Sequence, residues 1–196
     1  MKPSVRTGDD GVTRCGWVGD DAEYQRYHDD EWGQALHGDR ELFEKIALEG
    51  FQAGLSWITI LRRRPSFRLA FRDFDIDTVA AFDATDVERL LANAGIIRNR
   101  AKVEATIANA RVTQRLTAEE PGALDRLVWS FAPAPGRPRP TQLSDVPAVT
   151  AEATALSTAL KKLGYRFVGP TTMYALMQAA GLVDDHVVGC WRAQQR

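Results

Sequence analysis

Cysteine and histidine are scarce in this chain, and their positions would join its two ends. There are only two cysteines and three histidines. Cys15 and His28 stand near the front as Cys15-x12-His28; His186 and Cys190 stand near the back as His186-x3-Cys190. Two thiolates and two imidazoles make a tetrahedral zinc set with no position left open. Such a site would be structural, closing nearly the whole chain into one loop and doing no chemistry itself. The spacing is not that of a zinc finger. Two other readings stand beside it: a Cys15–Cys190 disulfide, or two small core residues. His37, the third histidine, follows Trp32-Gly33 in a polar stretch and reads as a solvated loop residue.

The 196 residues suit one domain. A hydrophobic content of 44% is that of a packed globular protein. No apolar run approaches the length of a membrane span, and no charged-then-apolar signal opens the chain. Residues 1–12 are polar and patternless, so a disordered leader is expected there, with a single domain over 13–196. Two cysteines without an export signal point to the cytoplasm, where thiols persist as ligands. No oligomer seam is evident, and a monomer is expected.

The net charge of −1 excludes a polycation, yet charge is uneven. Residues 1–50 hold 6 Lys and Arg against 12 Asp and Glu; the rest of the chain carries the compensating excess of bases. Basic clusters occur at Arg62-Arg63-Arg64, Arg98/Arg100/Lys102, Arg137/Arg139 and Lys161-Lys162/Arg166. A basic face on a neutral protein can bind phosphate. Taken singly, each cluster reads equally as an ordinary solvated helix surface.

Almost everything else reads as helix, and the fold class is all-α. Leu42, Phe43, Ile46 and Ala47 recur with helical period from Asp39 onward, and the pattern continues through Gly50 and Gly54, where it could bend or break. Thr85-x-x-Glu88 resembles a capping box, with Gly95 ending that helix at positive φ. Further helices are expected over 98–115 with Val103, Ile107 and Ala110 inward, over 123–131, over 153–163 with Gly164 as its stop, and over 171–180 ending at Gly181. Residues 134–147, rich in proline, read as an exposed loop.

Two constellations carry chemistry. Gly95-Ile96-Ile97 joins two helices and is followed by Arg98, Asn99, Arg100 and Lys102. A tight glycine turn beside a helix N-terminus can hold a phosphate, so this is a helix-hairpin-helix candidate for DNA binding without base readout. In the second, Glu49, Ala53 and Trp57 fall at i, i+4 and i+8 and would share one helical face. A flat ring could stack on Trp57 while Glu49 reads its edge. Trp17, Tyr24, Tyr27 and Trp32 precede them. The plainer reading makes these rings core and Glu49 a satisfied buried acid. Leu55, between the pocket residues, is a candidate apolar wedge, with a core leucine as the competing reading.

Arg14-Cys-Gly-Trp17, Tyr27-His-Asp-x-Glu-Trp-Gly33, Leu48-Glu-Gly-x-Gln-Ala-Gly-Leu-Ser-Trp-Ile-Thr59, Ala94-Gly-Ile-Ile-Arg98, Phe167-Val-Gly169 and Asp185-His-Val-Val-Gly-Cys190 together resemble DNA-3-methyladenine glycosylase I. The resemblance runs from about Thr13 to Trp191. It implies a helix-hairpin-helix glycosylase whose ends meet at a structural zinc held by Cys15, His28, His186 and Cys190. It implies a base pocket of Glu49, Trp57, Tyr24 and Tyr27, with Trp17 close by and Glu49 the candidate catalytic residue. Gly95, Arg98 and Leu55 become candidate contacts to double-stranded alkylated DNA. Members often carry a proline shortly after the first Trp-Gly; here Gln34-Ala35-Leu36-His37 follows, a departure in the loop. The aspartate that most helix-hairpin-helix glycosylases use is not expected in this family, and Asp125 is assigned no role. A zinc hydrolase would need an open metal position and a nearby base. A DNA-binding module without catalysis would have no use for Glu49 facing Trp57.

Overall fold

In the computed structural model, residues 3–134 and 136–194 are described. The chain is mostly helical. Two short strands, β1 (Val5–Thr7) and β2 (Thr13–Cys15), precede α1 (Ala22–Asp30), α2 (Asp39–Gln52), α3 (Trp57–Ala70), α4 (Ile76–Ala80), α5 (Ala84–Ala92), α6 (Arg100–Glu119), α7 (Ala123–Trp129), α8 (Ala151–Leu163) and α9 (Pro170–Ala179). No helix among the described residues is long and apolar enough to cross a membrane.

The segment expected to be a disordered leader is ordered from residue 3; Met1 and Lys2 lie outside the described residues. Val5–Thr7 pairs antiparallel with β2, placing Val5 opposite Cys15, and the Gly16 amide donates to the Ser4 carbonyl at 2.8 Å. Three residues per strand are too few for alternation to be visible in a sequence.

Helix α2 is the axis of the core. Every residue from Leu42 to Phe51 is buried, with α3, α6, α7 and α9 packed around it. Burying a side chain such as Phe43, Ile46 or Phe51 contributes roughly 1.5–3 kcal/mol. A helix enclosed on all sides also encloses its charged residues, so Glu44, Lys45 and Glu49 are buried with it.

The helix does not persist to Trp57, so Glu49, Ala53 and Trp57 do not share one helical face. It stops at Gln52. Gly54 takes φ +82°, a left-handed value open to glycine, and Ser56 in extended conformation starts α3. The cap of α5 also lies earlier than the sequence pattern places it. Asp83 is the N-cap: its carboxylate accepts from the Thr85 and Asp86 amides, and Asp86 accepts from the Asp83 amide in a reciprocal capping box. Gly95 is not at positive φ. Its role is proximity: a Cβ there would lie 3.0 Å from both Cβ and Oγ of Ser66, so glycine lets the 93–99 turn lie against α3. The inward residues of α6 are as expected, with Val103 and Ala110 fully buried and Ile107 nearly so.

Candidate active site

A cavity of about 220 Å³ opens between α1, the end of α2, the start of α3 and α9. Trp17, Tyr24, Tyr27, Trp32 and Trp57 form an aromatic wall, and Glu49 and Gln52 reach in from α2. Ala175 and Ala179, one turn apart on α9, leave the slot open opposite the rings, with Gln178 beside them. The rings brace one another. Trp17 meets Tyr24 and Trp32 edge to face at 5.1 Å, and Tyr27 tilts against Trp57 at 5.4 Å. Glu49 and Trp57 therefore face one cavity from two helices rather than one.

Glu49 is 4% exposed. Burial pushes its carboxyl up to about 7, and the charge of Lys45 opposes that rise. No protein donor is among the causes acting on it, so its acceptor capacity is unspent. The Trp57 indole N–H is buried without an acceptor among the described residues. Burial, then the Glu49 charge, pushes the Tyr27 and Tyr24 hydroxyls up, so both remain donors. A satisfied structural acid would have partners; this site presents an unpaired carboxylate and an unpaired N–H beside room for one purine-sized ring system.

Leu55 is 42% exposed on the 53–56 turn, so the core reading of this residue is overturned. It borders a second hollow shared with Glu49, Gln52, Thr171 and Thr172. Lys102 leaves the basic run altogether. It is buried, and its Nζ donates to the carbonyls of Phe51 at 2.9 Å and Ala53 at 2.6 Å, closing the C-terminal end of α2. The Gly95 amide is engaged by Asn93 Oδ1 at 2.8 Å, so it is not free to hold a phosphate. Arg100 pairs with Glu88 at 2.7 Å. Arg98 is exposed and forms no ion pair among the described residues. The Arg62–Arg64 cluster is spent on the fold: Arg62 pairs with Asp21, Arg63 donates to the Ala94 carbonyl and Arg64 pairs with Glu31.

Behind the aromatic wall, Cys15, His28 and Cys190 bring their ligand atoms within 4.8 Å of one another, all buried. The His186 ring lies 4.9 Å from that of His28, and its Nε2 is buried without a partner among the described residues. Each imidazole turns Nδ1 to a carboxylate at 2.8 Å, His28 to Asp29 and His186 to Asp184, which orients Nε2 away from that carboxylate. The cysteines are unbridged thiols. The Cys15 thiol as hydrogen-bond donor, then His28 against the effect of burial, holds the Cys190 thiol down; the same bond and burial push Cys15 up. Donor type, burial, second carboxylate partners and the orphaned Nε2 fit a four-ligand structural zinc. The set abuts the cavity: Trp17 lies 5.5 Å from the His28 ring and Trp32 lies 4.6 Å from that of His186.

His37 is not simply solvated. It stacks on Trp129 at 4.4 Å and pairs with Asp125, whose carboxylate also accepts from the Gly38 amide. Asp125 thus braces the loop before α2.

The chain matches the sequence profile described as methyladenine glycosylase over residues 17–193. It is 51% identical over 180 residues to DNA-3-methyladenine glycosylase 1 of Escherichia coli (strain K12), covering 91% of this chain and 96% of the relative. A crystal structure of 3-methyladenine DNA glycosylase I superposes with a TM-score of 0.87 at 47% identity, covering 91% and 98% of the two chains. The Staphylococcus aureus 3-methyladenine DNA glycosylase I, solved to explain its recognition of 3-methyladenine, superposes with a TM-score of 0.84 at 36% identity over 91% and 95%.

Proposed function

This chain belongs to the methyladenine glycosylase family, and from that premise we propose that it extrudes 3-methyladenine from alkylated duplex DNA, hydrolyses the N-glycosidic bond and leaves an abasic site. The observation that carries this reading is the Glu49 carboxylate, buried in an aromatic cavity with no hydrogen-bond donor among the described residues. A base methylated at N3 is a cation while attached to its sugar. Its glycosidic bond is therefore weak, and the base departs neutral. The protein has to expose the nucleotide, admit the cation in preference to adenine, and let water reach the sugar. Extrusion costs a few kcal/mol, and less for a damaged base. Stacking on Trp57, worth about 1–3 kcal/mol, offsets much of that. Glu49 accepts from the edge of the cationic base and discriminates against neutral adenine, with Tyr24, Tyr27 and Trp17 closing the pocket around it.

Cys15, His28, His186 and Cys190 would hold a zinc whose contribution is structural, since four protein ligands leave no position for water. That separates this reading from a zinc hydrolase. Mixing the protein with methylated duplex DNA tests the whole proposal. Free 3-methyladenine accumulates, while unmodified DNA releases nothing. A protein that binds both duplexes and releases no base is a binding module, and the proposal falls.

On the DNA side, Leu55, exposed on the 53–56 turn, would fill the gap left by the extruded nucleotide. The α5–α6 turn is read as a helix-hairpin-helix grip. Gly95 contributes a close approach of the turn to α3, and Arg98 a cation with no ion pair among the described residues, beside the start of α6, whose first turn carries no acid. Arg98→Ala weakens binding to all duplex sequences about equally and flattens the salt dependence by roughly one counterion. Equal salt slopes for variant and parent would place the grip elsewhere.

A further inference from the structure

Lys45 is buried beside the cavity yet takes no step in base release, and its position calls for a role. It sits on α2 one turn before Glu49 and is 8% exposed. Lysine at a protein surface extends its ammonium into water. Here Nζ lies 5.3 Å from the ring centroids of both Tyr27 and Trp57, two walls of the cavity. It forms no ion pair among the described residues. The other carboxylates near it are already taken: Glu31 accepts from Arg64 at 2.8 Å, and Glu44 accepts from Arg68 at 2.8 Å. Glu49 alone is left unengaged. A buried ammonium and a buried carboxylate, each without a bonded partner and one helical turn apart, are each the other's nearest unspent charge.

We propose that Lys45 is a positioning residue whose ammonium, held against the Tyr27 and Trp57 rings, keeps the Glu49 carboxylate ionised before a cationic base enters. This rests on the reading that Glu49 meets the base. The other groups around the pair are Tyr24 and Tyr27 from α1, Glu31 just after it, Glu44 on α2 and Arg64 on α3, while Lys102 of α6 is turned to the Phe51 and Ala53 carbonyls; the cavity residues of α9 are uncharged. Among these cations Lys45 is the one whose charge acts on Glu49.

The test compares Lys45→Met, which keeps length and removes charge, with Lys45→Arg. Glu49 is titrated by carbon-13 NMR of labelled glutamate, its signal assigned by loss in Glu49→Gln. Single-turnover release of 3-methyladenine is followed from pH 5 to 9 in parallel. In Lys45→Met, Glu49 titrates about one unit higher, and the acid limb of the rate profile moves with it. The rate at pH 7 then falls about 5–10-fold and recovers by pH 9. Lys45→Arg restores both. Lys45→Gln repeats the measurement with a polar side chain should the methionine variant melt early. A Glu49 titration in the uncharged variants that matches the parent overturns the proposal. If Glu49 moves and the rate profile does not follow, the Lys45–Glu49 coupling holds, and it is the role given to Glu49 that fails.

Discussion

Replacing Cys190 by alanine is expected to abolish metal binding and to lower the melting temperature sharply. The parent should carry about one zinc per chain, the variant none. Removing one ligand of a structural site leaves the other donors buried, with His186 Nε2 lacking a partner among the described residues. A loss of about 4 kcal/mol corresponds to about 8–16 °C in melting temperature for a chain of this size. Trp17 and Trp32 rest on the imidazoles of this cluster and also line the cavity. Some loss of activity below the melting point is therefore expected, through a loosened wall rather than through the chemistry. Metal analysis with calorimetry decides the matter. A metal-free parent with an unchanged Cys190→Ala melting temperature would sink the zinc assignment and leave the base pocket untouched.

The second large effect is on excision. Glu49→Gln keeps the shape of the side chain and removes its charge. A hydrogen bond to a charged group is worth about 1.5–3 kcal/mol, or roughly 10–150-fold in rate. Release of 3-methyladenine at saturating enzyme should fall by that factor, with duplex affinity nearly unchanged. Trp57→Ala should weaken free-base binding as well. The parent rate should rise with pH as Glu49 ionises around 7, and the glutamine variant should lack that limb. The same group sets a stability trend. Its folded pKa is raised from 4.5 to about 7, so the folded state holds the extra proton between those values. Its contribution to stability is full below about 4.5 and is lost as pH rises through 7. At pH 8 the buried charge costs roughly 3 kcal/mol, and Glu49→Gln should melt higher than the parent there, with no advantage at pH 4. Base release at the parent rate would make Glu49 a structural acid.

Much of this arrangement is legible in the sequence because it is written in local patterns. The helical period around Leu42 and Ile46 locates α2, and the glycines at 164 and 181 mark two helix ends, where both take positive φ. The Cys/His pairs point to each other across the chain, and the structure brings Cys15, His28 and Cys190 together. The differences share one cause: a local pattern does not extend to where a long-range contact decides. The i, i+4, i+8 series from Glu49 to Trp57 takes no account of Gly54, yet both residues reach one cavity because α3 folds back along α2. A local reading makes Gly95 a cap, whereas it is set by Ser66 of α3. Lys45 and Lys102 carry no sign of burial in the sequence, since lysine is the residue least expected inside. Ala175, Gln178 and Ala179 read as an ordinary helix face, and only the packing of α9 against α2 makes them cavity wall. A run such as Arg62–Arg64 shows charge, but not that Asp21 and Glu31 are waiting for it.

The meeting of the two ends also sets a schedule. His28 and Cys190 are 162 positions apart yet in contact. At the usual pace of synthesis, about 5–20 residues per second, the second half of the cluster emerges about 8–30 s after the first. Throughout that interval Cys15 and His28 are exposed without their partners, and Trp17 and Trp32 lack the imidazole of His186 to rest on. A chain that stops short of residue 186 can form the helices but not a finished aromatic wall. Full competence to handle a base therefore arrives late, and a product truncated before residue 186 should release base more slowly than the full chain.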